Sequence, residues 1–328
     1  MSNCLVSVWM ITYNHEKYIA QALNGVLMQE TNFNFEIVIG EDFSKDNTRA
    51  IIQEYESKYP TKIRIICQES NVGVLRNAYE FTLPLCKGKY IACLEGDDYW
   101  TDPLKLQKQV DFLEANPDYS LCSHRLQCYY QDSDEFKDDW MVELFKYNQT
   151  FVDIDIVNFF KVWVTQTVTV VFKKESYDIN DYKKFGYYRD THLFFNILQN
   201  GKGRVLNFYG AVYRIHEKGI WSNTSALFKQ KLNLITSREL FNNYKSSFLE
   251  KAYYGTLRGY IYYSIRKGNT ISEFNLLLKE AKKVGLDKKI FFKLYLVSLL
   301  TKLGLYFIVR FGYKISNRVK KNTSFATD

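Results

Sequence analysis

The residues with most chemical content are Glu95-Gly96-Asp97-Asp98-Tyr99-Trp100. The run before them, Lys89 to Leu94, is apolar with a β-branched residue and reads as a buried strand. Two adjacent carboxylates therefore stand where a buried strand ends. Aspartate is a poor strand residue, and an unpaired buried carboxylate is costly. Such a pair serves either a bound cation or a solvated turn, and Gly96-Asp97-Asp98 is good turn chemistry.

The elements that must position this pair alternate. Leu5 to Ile11 is an apolar run, broken by Tyr13-Asn14-His15-Glu16. Tyr18 to Met28 carries apolar residues at helical spacing. Phe35 to Ile39 reads as a strand ending at Gly40-Glu41-Asp42, and Thr48 to Tyr59 as a helix closed before Pro60. Ile63 to Cys67 is a third strand, Asn77 to Leu85 a helix and Tyr90 to Leu94 a fourth strand. Strict alternation predicts parallel strands with right-handed crossovers, helices on both faces and ligands at the strands' C-terminal ends. The polar clusters fall at those ends, and a string of isolated turns would not need that convergence. Beyond it, Leu104 to Ala115 reads as a helix, Ser120 to Tyr129, Trp163 to Phe172 and Arg204 to Tyr213 as strands, and His192 to Gln199 as a helix. Asp132 to Asp139 and Arg214 to Ser222 read as polar loops. After about Ser225 the strands stop, so a domain over 1–224 and a helical region over 225–328 are expected.

Four stretches in order, VSVWMITYN (6–14), EIVIGEDFSKDNT (36–48), NVGVLRN (71–77) and YIACLEGDDYWTDPLKLQKQ (90–109), resemble the family 2 glycosyltransferases of bacterial polysaccharide biosynthesis. The resemblance covers roughly residues 5 to 220. It implies the α/β GT-A fold, a Rossmann-like, mostly parallel mixed sheet flanked by helices. It also implies transfer of a sugar, with inversion, from a nucleotide-sugar, a UDP-sugar first, to a hydroxyl of a glycan or lipid-linked glycan. Under it, Thr12, Tyr13 and Asn14 form a nucleotide-contact loop and Asp42 bonds the base. Phe43 stands where the family has glycine. Asp98 is the metal ligand, Asp97 lies nearer the ribose or donor sugar, Asp190 is the general base and His216 a second metal or phosphate group.

The physics of the reaction is compatible with those roles. A departing nucleoside diphosphate gains negative charge, and Mn2+ or Mg2+ on carboxylates offsets it. No G-x-x-x-x-G-K-[ST] is present and no G-x-G-x-x-G follows the first strand, so the diphosphate falls to metal and scattered basic groups, Arg76 among them. A sugar hydroxyl needs a base to become a nucleophile, although Asp190 also suits a plain helix N-cap. Trp221 and Trp100 are candidates to stack on a sugar; His15, His124 and His192 read as structural or surface.

Composition bounds the setting. The 328 residues allow a large core, with 46% hydrophobic and 24% charged residues. None of the six cysteines pairs as C-x-x-C, no zinc spacing appears and no signal peptide is seen, which points to the cytoplasm. The formal charge is +8, and from Lys279 to Lys321 twelve basic residues face two acidic ones. This places charge in an apolar tail rather than along an aromatic groove, so nucleic acid is not expected as a partner. The stretch 290–309 is interrupted by Lys293 and Lys302, which disfavours spanning; the expectation is peripheral attachment to an anionic inner membrane face. The competing reading is a non-catalytic nucleotide-sugar or glycan-binding module.

Overall fold

A computed structural model describes residues 4–160, 165–219, 222 and 224–267, together with positions 279, 292 and 296. Two compact units, Met1–Asn223 and Thr224–Asp328, divide the chain.

The first unit is built on strand β1 (Cys4–Thr12), whose alternation sends Val6, Val8 and Met10 to one face of the sheet and Trp9 to the other. It lies parallel to both β2 (Asn34–Glu41) and β4 (Tyr90–Glu95), and β3 (Ile63–Cys67) extends the sheet beyond β2. Further strands are β5 (Tyr99–Trp100), β6 (Tyr119–Tyr130), β7 (Glu135–Asp138), β8 (Phe151–Ile154), β9 (Val171–Lys173) and β10 (Lys202–Ile215). The sheet order is β3-β2-β1-β4-β9-β6-β10-β5. β9 runs antiparallel to β4 and β6, which makes the sheet mixed, while β10 is parallel to β6. β7 pairs β6, and β8 pairs β10, both antiparallel.

Helices cover both faces. α1 (Ile19–Leu27) and α3 (Lys105–Ala115) bury Leu23, Val26, Leu106 and Val110 against the Val8 side. The segment 76–85 and α4 (Asp190–Leu198) bury Tyr79, Leu83, Leu193 and Phe194 against the Trp9 side. α2 (Thr48–Lys58) follows β2 and buries Ile52 on the Val8 side as well.

The register delivers the expected convergence. Thr12 sits opposite Glu41, and Ile11 opposite Glu95, so three polar strand ends share one edge. Other expectations shift. Asn77 to Leu85 is not one α-helix but a π-helical turn, Arg76–Thr82, running into a 3-10 turn. The widened turn lets the Asn77 amide donate to the Gly40 carbonyl at 2.9 Å. Of the strand read over Trp163 to Phe172, residues 163–164 lie outside the described residues and Thr167–Thr169 is a 3-10 turn; β9 begins only at Val171. The loop read over Asp132 to Asp139 contains β7, and β10 continues through Arg214.

The second unit contains α5 (Ala226–Tyr244) and α6 (Ser247–Lys267), joined at Lys245 in the left-handed region, φ +50°. The Phe241 and Tyr253 rings stack between them at 6.0 Å. Trp221 and, apart from Phe292 and Leu296, the basic stretch 290–309 lie outside the described residues. Among the described residues no helix is long and apolar enough to cross a membrane.

Candidate active site

The loop after β1 is pinned by its neighbour. Asn14 is left-handed (φ +56°), a conformation asparagine tolerates better than most residues. Its N–H donates to Ser44 Oγ at 2.9 Å and its Oδ1 accepts the Lys45 N–H at 2.7 Å. The Tyr13 ring is left 40% exposed, available to a planar ligand. In the loop after β2, Glu41 is buried and accepts the Ser44 N–H and the Arg49 guanidinium. Asp42 accepts the N–H groups of Val72 at 2.7 Å and Gly73 at 3.0 Å, so its carboxylate first organises the following turn. Phe43 adopts φ +62°, the conformation glycine takes freely. The loop shape survives the substitution at a strain of about 1–2 kcal/mol, with the Lys45 ammonium 3.6 Å over the Phe43 ring.

The loop after β4 lies against the first. A Cβ on Gly96 would meet Thr12 Oγ1 at 2.7 Å and His15 Nδ1 at 2.9 Å, so only glycine lets the two turns touch. Asp97 Oδ2 then stands 3.1 Å from His216 Nε2 and 3.7 Å from His15 Nε2. Its side chain is 20% exposed. Burial pushes the Asp97 carboxyl up, but the two imidazoles outweigh it and hold it below the usual range. Asp98 is different. It is 3% exposed, and its Oδ1 accepts the Arg214 backbone N–H at 2.8 Å. Burial, then Asp97 and Glu95, push it well above the usual carboxylate range. The more exposed carboxylate is thus Asp97, whereas the sequence reading gave the metal to Asp98; the turn at Gly96 and Asp97, in which the Asp98 N–H donates to the Glu95 carbonyl at 3.2 Å, sends the two side chains apart.

Asp190 opens α4. Its Oδ1 accepts the Thr191 N–H at 2.7 Å, and Arg189 Nε lies 3.9 Å away. Burial raises its carboxyl, against Arg189 and the Thr191 N–H. Asp190 and Asp97 both raise Glu95, which burial above all pushes up to about 7 while Thr167 Oγ1 donates to it at 2.8 Å. Glu95 therefore feels both Asp97 and Asp190.

Arg76 is not drawn in: it is half exposed and its Nε donates to Glu80 at 3.0 Å. Trp100 is buried, its Nε1 donating to the Val168 carbonyl, so it is core. His124 and His192 are buried in structural roles, but His15, grouped with them on sequence, reaches Asp97. Its place three residues after Thr12 in the same strand-end loop was the available signal. Arg214 was also missed. Besides its N–H on Asp98, it donates to the Asp97 carbonyl at 2.9 Å and to Gln131 and Gln21 at 2.6 Å each. It stands two residues before His216, on the same alternation.

A hard divalent cation fits the donor set of one open carboxylate and imidazole nitrogens. Among the described residues no three potential ligands stand close enough to hold an ion unaided, so diphosphate oxygens would complete its shell.

The family model for glycosyl transferase family 2 matches residues 7–180. The chain belongs to this family. An uncharacterized protein of Mycobacterium tuberculosis is 38% identical over 217 residues, 66% of this chain and 60% of that one, so the chain spans about 60% of the length of that relative. WfaP of Escherichia coli, a UDP-Glc:alpha-D-GlcNAc-diphosphoundecaprenol beta-1,3-glucosyltransferase, is 28% identical over 243 residues, 71% of this chain and 86% of that one. Residues 1–349 of Staphylococcus aureus TarS, crystallised in complex with UDP, superpose with a TM-score of 0.63 at 16% identity, covering 95% of this chain and 92% of that one. The mannosyltransferase PcManGT of Pyrobaculum calidifontis, in complex with GDP-Man and Mn2+, gives a TM-score of 0.50 at 14% identity over 92% and 88%. The fold is GT-A.

Proposed function

We propose that the protein transfers a hexosyl or N-acetylhexosaminyl unit from a UDP-sugar to a hydroxyl of a glycan or lipid-linked glycan, inverting the anomeric carbon with the help of Mn2+ or Mg2+. The carrying observation is Asp97, open to the cleft and gripped by His15 and His216, with Asp190 near enough to raise Glu95. Asp97 and His216 would hold the cation, which supplies positive charge against the departing diphosphate. Tyr13 stacks the base, while Thr12 and Asn14 hold the loop that presents it. Asp42 keeps the opposite wall in place. Asp190 takes the proton from the acceptor hydroxyl; that oxygen bonds to the anomeric carbon as the bond to the diphosphate breaks and its electron pair leaves with the phosphate oxygen. The raised Asp190 carboxyl is the stronger base for it. Support for the UDP donor and the lipid-linked acceptor comes from the E. coli relative's name and the UDP in the staphylococcal structure.

Calorimetry tests this with a panel of nucleoside diphosphates, with and without Mn2+, on the wild type, Asp97→Ala and Asp98→Asn. One nucleotide should bind only with metal. Asp97→Ala should weaken it by about a hundredfold or more, and Asp98→Asn by no more than about threefold, because the Asp98 side chain is buried and turned onto the Arg214 N–H. Metal-independent binding, or an inert Asp97→Ala, would refute the assignment.

A further inference from the structure

Behind Arg214 and His216, on the side of α1 and the β6–β7 hairpin, lies a cavity of about 650 Å³. Its walls include Tyr18, Tyr99, Tyr129 and Phe136, and its rim carries Lys17, Asp132 and Glu217. None of these residues belongs to the donor cleft described above.

Three observations bear on its occupant. First, Tyr129 and Phe136 form an aromatic pair at 4.6 Å, tilted 31°, on a hairpin where β7 has no buried residue. Phe136 is 52% exposed, although a hairpin in water has no need of an outward phenyl ring. Aromatic faces pack well on the C–H face of a pyranose, and the volume suits one or two sugar rings. Second, polar groups converge beside the rings. Gln131 gives its Oε1 to Arg214 and so presents its amide N–H groups to the cavity, while Asp132 and Glu217 offer acceptors for hydroxyls. Third, the charge is selective. The Arg214 guanidinium is committed to Gln21, Gln131 and the Asp97 carbonyl and packed among Tyr18, Tyr99 and Tyr129 at 4.8–5.4 Å. Lys17 and the Arg214 guanidinium face the three carboxylates of Asp132, Asp134 and Glu217, so a uronic acid or a phosphate would meet a net negative charge.

We propose that this cavity, which His216 and Arg214 also line, is a subsite for a neutral pyranose ring of the acceptor glycan. The placement rests on the transferase reading. His216 touches both sides: its ring lies 4.8 Å from Tyr18 at the cavity and its Nε2 3.1 Å from Asp97. A sugar held here is one residue away from the group proposed to hold the metal.

Saturation-transfer NMR tests it with methyl β-D-glucopyranoside, methyl N-acetyl-β-D-glucosaminide and D-glucuronate, on the wild type, Phe136→Ala and Asp132→Lys. Both substitutions fall on exposed positions, so folding should survive, and circular dichroism checks it. The neutral glycosides should show saturation and glucuronate little. Phe136→Ala should weaken the neutral glycosides by about tenfold, the loss of one stacked ring, and Asp132→Lys should admit glucuronate. Mn2+-dependent nucleotide affinity should stay within about twofold in both variants. No saturation of the neutral glycosides in the wild type, equal saturation of glucuronate, or indifference to Phe136→Ala would overturn the subsite. So would displacement of the glycosides by UDP, which would make the cavity part of the donor site. Glycoside binding without any metal-dependent nucleotide binding would leave the subsite standing as a sugar site and remove the transferase reading instead.

Discussion

Mild acid should destabilise the first unit through His192, and the amount can be worked out. His192 is fully buried in the first turn of α4, where its Nδ1 accepts the Arg189 N–H at 3.1 Å and its ring stacks on Tyr188 at 5.2 Å. Burial, aided by Arg189, lowers it to about 3. The unfolded chain takes up that proton near pH 6.5. Between about 3 and 6.5 the unfolded state therefore binds more protons, and stability falls as the pH falls. Integrating from pH 6 to pH 5 gives a loss of about 1.2 kcal/mol from this one ring. His124, buried with its Nδ1 donating to the Arg125 carbonyl, is lowered well below its ordinary value and adds a loss of the same sign. His192→Gln provides the isolating variant. A glutamine at this position accepts the same backbone N–H and never ionises. Urea unfolding followed by tryptophan fluorescence at pH 7, 6 and 5 should show the variant losing about 1.2 kcal/mol less stability than the wild type between pH 6 and 5. An unchanged pH slope in His192→Gln would refute the argument. Because α4 begins at Asp190, the same protonation should loosen the proposed base before the sheet unfolds.

Three further outcomes are expected. Asp190→Asn keeps the acceptor for the Thr191 N–H but removes the base, so kcat should fall about 10²–10⁴-fold in a sugar-transfer assay with nucleotide affinity unchanged. Lys105 is fully buried, its Nζ makes no hydrogen bond and lies 3.9 Å over the Trp100 ring, and burial lowers it to about 7. Lys105→Met should therefore raise stability at pH 7 by about 2 kcal/mol. The gain should shrink towards pH 9, since between about 7 and 10.4 the unfolded lysine binds the extra proton and wild-type stability rises with pH; thermal melts at the two pH values check both signs. Gly40→Ala would put a Cβ 2.0 Å from Thr82 Oγ1 and 2.9 Å from Asn77 Oδ1, and should lower stability by about 2–3 kcal/mol in the same melts.

The parallel strands with their polar ends were legible because each buried strand is a continuous apolar run bounded by turn residues. β5, β7 and β8 were not, since two to four residues carry no usable period. The π-helical turn escaped because it is set by Gly40, Gln68 and Asn77 meeting across the sheet edge, a tertiary cause without local signature. At the site, residue types were readable but facing was not. Glu95 and Asp97 are two apart with Gly96 between them, and Asp97 raises Glu95, while Asp98 turns to the Arg214 N–H. The chain turns at Gly96 and Asp97, so the facing of Asp97 and Asp98 is set by that turn and by Arg214, not by the alternation of β4. His15 and Arg214 needed the fold, because each acts through a partner at least 82 residues away in the chain.

Arg214 has a consequence for the order in which the molecule matures. It bonds Gln21, 193 residues earlier, and the Asp97 carbonyl, 117 residues earlier. On a ribosome making about 5–20 residues per second, β1, β2 and β4 are exposed for roughly 6 to 24 seconds before this arginine and His216 are made. During that interval Asp97 has neither its second imidazole nor the guanidinium that fixes its backbone. The nascent sheet can close around its core, yet the site proposed to hold a metal-bound nucleotide is completed only once β10 and the His216 that follows it are made.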